Sequence, residues 1–232
     1  MIHIRGRFAT YGELWFDEQP PGAARVDVLM FRQRSSPLAG RVCLPFLSLV
    51  NDLSAAEQTL MAGLGKTNRY KIKRAASKDE LSAEWLADPQ AQLDSFVDFY
   101  DEFAREKGLQ AAYRRGLDAA CASGHLVLSH ASKDTRTLVW HAYMTHGQKI
   151  ALLHSASLLR GVKNGDRALL ARANRWLHWC DMLHFKEAGL RLYDWGGLCA
   201  VESNPARAGI NRFKREFGGQ PVCTYNCSVA VT

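Results

Sequence analysis

The stretch Arg191–Gly219, RLYDWGGLCAVESNPARAGINRFKREFGG, decides how the rest of the chain is read. Leu192, Tyr193 and Trp195 are strand formers. Gly196-Gly197 ends that strand and frees the backbone for close approach or positive φ. Ser203, Asn204 and Pro205 spell a turn or a helix start. Ile210, Phe213 and Phe217 then recur at three- and four-residue spacing, one apolar helical stripe directed at the core. Arg207, Arg212, Lys214 and Arg215 lie off that stripe, toward solvent or a ligand. Gly218-Gly219 stops the helix, and Pro221 opens a final strand over Val222–Val231.

Upstream, a long helix is expected from Arg167 to Ala188, capped by Asp166 or the residue before it and closed by Gly189. It follows the loop Leu159–Asp166. Before that loop the period is that of strands: His125–Ser129, Thr137–Thr145 and Lys149–Ser155 form an antiparallel meander with turns at Lys133-Asp134 and Gly147-Gln148. Leu93, Phe96, Val97, Tyr100, Phe103 and Ala104 make a helical stripe ended by Lys107-Gly108, and a shorter helix covers Leu117–Ala122. Ser54 starts a helix, with Glu57 completing a capping box. A further helix, Lys66–Lys78, carries Lys66, Arg69, Lys71, Lys73, Arg74 and Lys78 and no acidic residue. Residues 1–50 read as β-rich, with short apolar stretches at Glu13–Phe16 and Val26–Arg32 around the turn-rich Gln19–Ala23. Arg41–Leu49 is broken by Pro45 and is expected as an edge strand or an irregular segment.

The 232 residues are enough for a full core, either one large domain or one domain plus a small lobe. The net charge of +7 suggests an acidic partner: phosphate, nucleotide, nucleic acid or anionic lipid, which leaves membrane-surface association open. No apolar run approaches the ~20 residues of a membrane span, and MIHIRGRFATYGELW lacks the apolar centre of a signal peptide. A cytoplasmic protein is expected, with its six cysteines (Cys43, Cys121, Cys180, Cys199, Cys223 and Cys227) reduced. No metal site is expected. His178 and His184 are about 600° apart on a helix, and Cys180 with His184 is only two ligands.

YDWGG followed by GINRFKREFGG resembles the closing motif of FemAB-like acyltransferases of the GNAT fold. The resemblance extends to KTNRYKIKRA at Lys66–Ala75 and ANRWLHWCDMLHFKEAG at Ala173–Gly189, so it covers roughly Lys66 to Tyr225. It implies an α+β fold with a central, mixed, mostly antiparallel sheet flanked by helices. The implied division is a small N-terminal β-rich lobe at 1–60 and an acyltransferase domain at 61–232. Larger members carry a whole second domain where this chain has room for part of one. The implied activity is transfer of an acyl or aminoacyl group from a carrier to an amine or hydroxyl. The acceptor would be an anionic small molecule, a sugar or a cell-envelope precursor. The carrier, acyl-CoA or acyl carrier protein, would be a co-substrate, with no cofactor tightly bound. One alternative is strict dependence on aminoacyl-tRNA, as in FemX-type enzymes. Another is a non-enzymatic nucleic-acid-binding module using Lys66–Lys78.

Acyl transfer needs a cradle for the carrier, a proton acceptor and a donor to the oxyanion. The turn before the long helix offers cations and free amides for carrier phosphate: Arg160, Gly161, Lys163, Asn164 and Gly165. Its glycines do not follow the GNAT spacing. Asn174 is a further candidate for carrier binding. Lys214 is the first catalytic candidate, since the resemblance implies oxyanion or phosphate stabilisation by a lysine near the final FGG. Asp194 is a second, either as a base or as a cap for the backbone of Gly196 and Gly197. His141 and His154, on adjacent strands, are candidate bases. Arg69, Tyr70, Lys73, Tyr193, Trp195, Gly196 and Gly197 are the candidate acceptor-binding residues.

Overall fold

The computed structural model describes residues 1–22, 25–86, 88–158, 164–198 and 205–231. Its strands are β1 (Ile2–Arg5), β2 (Thr10–Trp15), β3 (Val28–Arg34), β4 (Cys43–Asp52), β5 (Leu81–Trp85), β6 (Leu126–Lys133), β7 (Arg136–His146), β8 (Lys149–Ser157), β9 (Leu192–Gly197) and β10 (Gln220–Ala230). Its helices are α1 (Glu57–Gly63), α2 (Lys66–Lys78), α3 (Pro89–Lys107), α4 (Arg114–Ala122), α5 (Asn164–Glu187) and α6 (Pro205–Arg215). All ten strands join one sheet in the order β1-β2-β3-β10-β4-β9-β8-β7-β6-β5. Among the described residues, only β2/β3 and β8/β9 pair in parallel. This is the expected fold class, a mixed and mostly antiparallel sheet flanked by helices.

Strand alternation divides the core into two layers. Trp140, Ala142 and Met144 face α3 and α4, with Leu93, Phe96 and Tyr100. Tyr143, Ile150, Tyr193 and Trp195 face the other way, onto Trp179, Met182 and Phe185 of α5 and Phe217 beyond α6. Residues 1–60 do supply strands, β1 to β4, and these are hydrogen-bonded into the same sheet.

The structure corrects several local expectations. Arg41–Leu49 is not an edge: β4 lies between β10 and β9. Pro45 is tolerated because β9 pairs with β4 only from Ser48 onward, so Pro45 lies beyond the end of that ladder. Ser54 does not cap α1. Ala56 holds the N-cap position, and the Ser54 hydroxyl donates to Asp52 instead. The long helix begins at Asn164, earlier than Arg167. β1 and β5 have no counterpart in the sequence reading. The cysteines are not all thiols. Cys43 and Cys227 oppose each other across β4 and β10, Cα atoms 4.2 Å apart, and form a disulfide.

Two anchors hold the helices in place. At the end of α6, Gly218 and Gly219 have φ +74° and +85°. A Cβ on either would come within 2.8 Å of a backbone oxygen, of Gly63 and Val50 respectively, so the sequence turns here on glycine alone. On the same face, Arg172 of α5 grips Asp79 at the end of α2 through Nε (2.5 Å) and Nη2 (2.8 Å), with both side chains nearly buried. Arg172→Ala would strand the Asp79 carboxylate. It is expected to lower stability by about 3 kcal/mol in urea denaturation, with Arg172→Lys recovering only part.

Candidate active site

β8 and β9 pair over three rungs only, Lys149–Leu192, Ile150–Tyr193 and Ala151–Asp194. Past them the strands part, and a cavity of about 550 Å³ opens between them. Leu152, Leu153, His154 and Ser155 of β8 form one side, and Trp195, Gly196 and Gly197 of β9 the other. α5 contributes Asn174 and His178, α3 Tyr100 and Phe103, and α6 Ile210, Phe213 and Lys214. The stripe expected to enter the core divides: Phe217 is fully buried, whereas Ile210 is 42% exposed and with Phe213 walls the cavity.

Gly196 sits at φ +69°, and a Cβ there would lie 2.8 Å from the Leu152 carbonyl oxygen and 3.9 Å from Lys214 Nζ. Lys214 reaches back over β9 and donates to the Gly197 carbonyl at 2.8 Å. Burial pushes its ammonium down to about 8, against the pull of Asp194. Asp194 itself does not line the cavity. Its Oδ1 accepts the Gly196 N–H at 2.7 Å and its Oδ2 the Ser48 hydroxyl at 3.0 Å, the backbone-capping arrangement. Burial raises its carboxyl above the usual range, opposed by those hydrogen bonds and by Lys214.

The two candidate histidines part company. His154 pairs with Ala142 and turns to the α3 face, its ring 4.3 Å from that of Tyr100. Burial lowers it to about 4, so it is neutral at ordinary pH. His141 pairs with Ser155 and turns the other way, fully buried beneath α5, and it does not line the cavity. Its Nδ1 donates to Asp181 Oδ2 (2.7 Å) and its Nε2 lies 2.9 Å from Asn174 Oδ1. Asn174 also accepts the Ser155 hydroxyl at 3.2 Å.

Sequence reasoning named Asn174 and Tyr193 for other duties and missed the centre of this network, His178, Asp181 and Tyr143. Asn174, His178, Asp181 and Phe185 follow helical spacing on one face of α5. Asp181 accepts Trp85 Nε1–H at 2.8 Å and the Tyr143 hydroxyl at 2.5 Å. The Tyr143 hydroxyl is 2.8 Å from that of Tyr193, and Tyr193 is 2.9 Å from His178 Nδ1. His141, His178 and Asp181 group three ligand-type atoms within 4.8 Å, but the His141–Asp181 contact is already a hydrogen bond. Burial raises both tyrosines far above 10, with the Asp181 charge adding to it, so both stay protonated. The only signal in the sequence was that face of α5; the strands that complete the network were not placed against it.

Other candidates lie elsewhere. Arg69 binds the carbonyls of Ala62 (2.9 Å) and Leu64, closing the C-terminus of α1. Tyr70 and Lys73 are exposed on α2, and none of the three lines the cavity. Tyr193 is buried in the network, whereas Trp195 shows a face to the cavity while its Nε1 donates to Asn51 at 2.6 Å. Arg160, Gly161 and Lys163 lie outside the described residues. Asn164 and Gly165 fall in the first turn of α5, where only the backbone is described.

No family model matches the chain, and a comparison with curated proteins found no significant match. Among solved structures it is similar to FemX, with TM-score 0.64 and 13% identity over 80% of this chain and 61% of that one. It also resembles L-PGS from Bacillus licheniformis, with TM-score 0.56 and 12% identity over 86% and 67% of the two chains. A conserved protein of unknown function from Bacteroides thetaiotaomicron matches at TM-score 0.57 and 11% identity, over 84% and 64%. This chain thus spans less than two thirds of the FemX chain. At these identities the likeness shows a common fold.

Gly196→Ala tests whether the parting of the strands depends on that residue. The left-handed backbone alone is expected to cost about 1–2 kcal/mol. The contact with Leu152 adds to it, giving a lower Tm in calorimetry.

Proposed function

We propose that the protein is an acyl- or aminoacyltransferase whose reaction takes place between the parted ends of β8 and β9. The observation that carries this reading is Lys214. A half-buried ammonium stands over a bare Gly-Gly backbone at the floor of a mostly apolar cavity, where a reacting carbonyl can approach without side-chain hindrance. In such surroundings a positive charge stabilises a developing oxyanion far more than it would in water. The parted strands also leave room for an extended, amide-bearing carrier arm to lie along a strand edge. The likeness to FemX and to L-PGS supports the reading at the level of fold.

The carrier in this reading is a thioester of CoA or acyl carrier protein, or an aminoacyl-tRNA. The acceptor is an amine or hydroxyl, on an anionic small molecule, a sugar or a cell-envelope precursor. The basic helix favours the RNA-linked carrier: Lys66, Lys73, Arg74 and Lys78 are exposed. Gly65 donates to the Glu216 carbonyl at 2.8 Å, which sets the start of α2 beside the end of α6. If RNA carries the acyl group, Lys66→Glu with Lys73→Glu raises the KM for aminoacyl-tRNA and flattens its salt dependence. Turnover of a small thioester should hardly move. Arg69 is left alone because it closes α1.

Lys214→Ala should lower kcat by about 10²–10³, as for loss of one oxyanion donor. Its Tm should fall only slightly, because the desolvation cost of the half-buried ammonium offsets the lost hydrogen bond to the Gly197 carbonyl. The protonated form is the active one, and burial lowers its pKa from the ordinary lysine range to about 8. The rate should therefore hold below pH 8 and fall above it, with that limb missing in Lys214→Ala. A panel of acyl-CoA, acyl carrier protein and aminoacyl-tRNA donors, scored by product mass, tests the whole reading. Full turnover by Lys214→Ala would remove the lysine from the chemistry.

A further inference from the structure

His178 is the residue of the cleft that nothing above has used. It is fully buried, lines the cavity, and its Nε2 has no hydrogen-bond partner among the described residues. A buried ring nitrogen without a partner is costly unless something else meets it there. The other nitrogen fixes what Nε2 can do. A tyrosine hydroxyl has one proton to give. Tyr143 gives its proton to the Asp181 carboxylate, at 2.5 Å. The 2.8 Å contact between the tyrosines must then carry the Tyr193 proton toward Tyr143. With that proton committed, Tyr193 can only accept from His178, so Nδ1 bears the hydrogen of the 2.9 Å bond. Nε2 is left as a bare lone pair, buried on a residue that lines the cavity.

We propose that His178 Nε2 is the proton acceptor for the attacking group, with Tyr193, Tyr143 and Asp181 as the positioning chain behind it. The inference rests on the acyl-transfer reading of the cleft. The acceptor's amine or hydroxyl forms a bond to the carrier's carbonyl carbon and yields its proton to Nε2. When the carbon–sulfur or carbon–oxygen bond of the carrier breaks, the same proton passes to the leaving sulfur or oxygen. The imidazolium formed in between is stabilised through two hydroxyls by the Asp181 carboxylate. The surroundings keep the ring neutral at rest. Desolvation comes first, then the charges of the stacked His141 (3.9 Å between ring centroids), of Lys214 and of Arg175, and all push His178 well below 6.5. His154, the other imidazole of the cavity, has no orienting hydrogen bond among the described residues and packs on Tyr100 instead.

The test uses diethyl pyrocarbonate, an acyl electrophile small enough for the cavity, with modified histidines mapped by peptide mass spectrometry. The exposed His3 serves as internal reference. His178 should be carbethoxylated in the parent protein and at least several-fold more slowly in Tyr193→Phe, where Nδ1 loses its acceptor and the tautomer is no longer fixed. Protection of His178 while His3 reacts fully would overturn the proposal. With a donor that the parent protein turns over, Tyr193→Phe should lose about 10-fold and His178→Gln about 10²–10⁴-fold in kcat, with little change in donor KM. A merely structural tyrosine would lower Tm and leave kcat intact, and that outcome would also overturn the proposal. If no donor is turned over while His178 reacts and Tyr193→Phe slows it, the acyl-transfer reading fails and the presented imidazole stands.

Discussion

The site depends on β8 and β9 staying together for three rungs and then separating. Backbone groups that leave a ladder must find other partners or stay solvated. The sequence around Gly196 supplies those partners one by one. The Gly196 N–H goes to Asp194, the Gly197 carbonyl accepts from Lys214, and the Leu198 N–H finds the Leu47 carbonyl at 2.7 Å. Asp194 and Lys214 thus complete the end of a strand. A carboxylate and an ammonium are kept where water is scarce, each with its pKa moved toward neutrality by burial.

How much of this the sequence revealed depended on whether a residue's role was local. The position of Lys214 was legible, because helical phase relative to Phe213 and Phe217 turns it to the edge of the buried face, above the Gly-Gly break. The capping by Asp194 was legible for the same reason, as it acts on a residue two positions away. His141 and His154 were not separable. Their faces follow from strand parity through an irregular register between Ala142 and Tyr143, and no local pattern announces such a shift. His178 was dismissed on helical phase against His184. That argument was sound for that pair, since His184 stacks on Trp85 at 4.2 Å, but it was silent on what β7 and β9 would bring to the other face. The Cys43–Cys227 disulfide, 184 residues apart in sequence, required knowing that β4 is interior, and Pro45 argued the other way.

A buried cluster of one carboxylate, two phenols and two imidazoles is expensive unless its donors and acceptors match. Here they nearly do. Asp181 accepts three hydrogen bonds, from an indole on β5 and from an imidazole and a phenol on β7. Such a network fixes α5 against β5, β7 and β9 in one rotation only. A turn of the helix by one residue would leave several polar groups buried and unpaired. The apolar layer beneath, with Phe185 and Met182, could tolerate such a slip much better. The polar stripe therefore specifies the helix position that brings Asn174 and His178 to the cavity wall.

The same logic extends to β4, which lies far from the cleft in sequence and next to β9 in the sheet. β4 runs beside β9 and contributes the two side chains directly behind the cleft. Ser48 holds one oxygen of Asp194. Asn51 accepts from Trp195 and donates to the Phe217 carbonyl at 3.2 Å, joining β9 to the end of α6. β4 is in turn held by β10, which returns from α6 through the two glycines that no side chain could replace. The closing Phe-Gly-Gly is thus the hinge of a closed circuit: β9 to α6, α6 to β10, β10 to β4, and β4 back to β9. Any residue in that circuit that shifts the end of β9 moves Gly196 and Lys214 with it. The aromatic and glycine residues of Arg191–Gly219 are packed so that the whole loop of contacts has one solution.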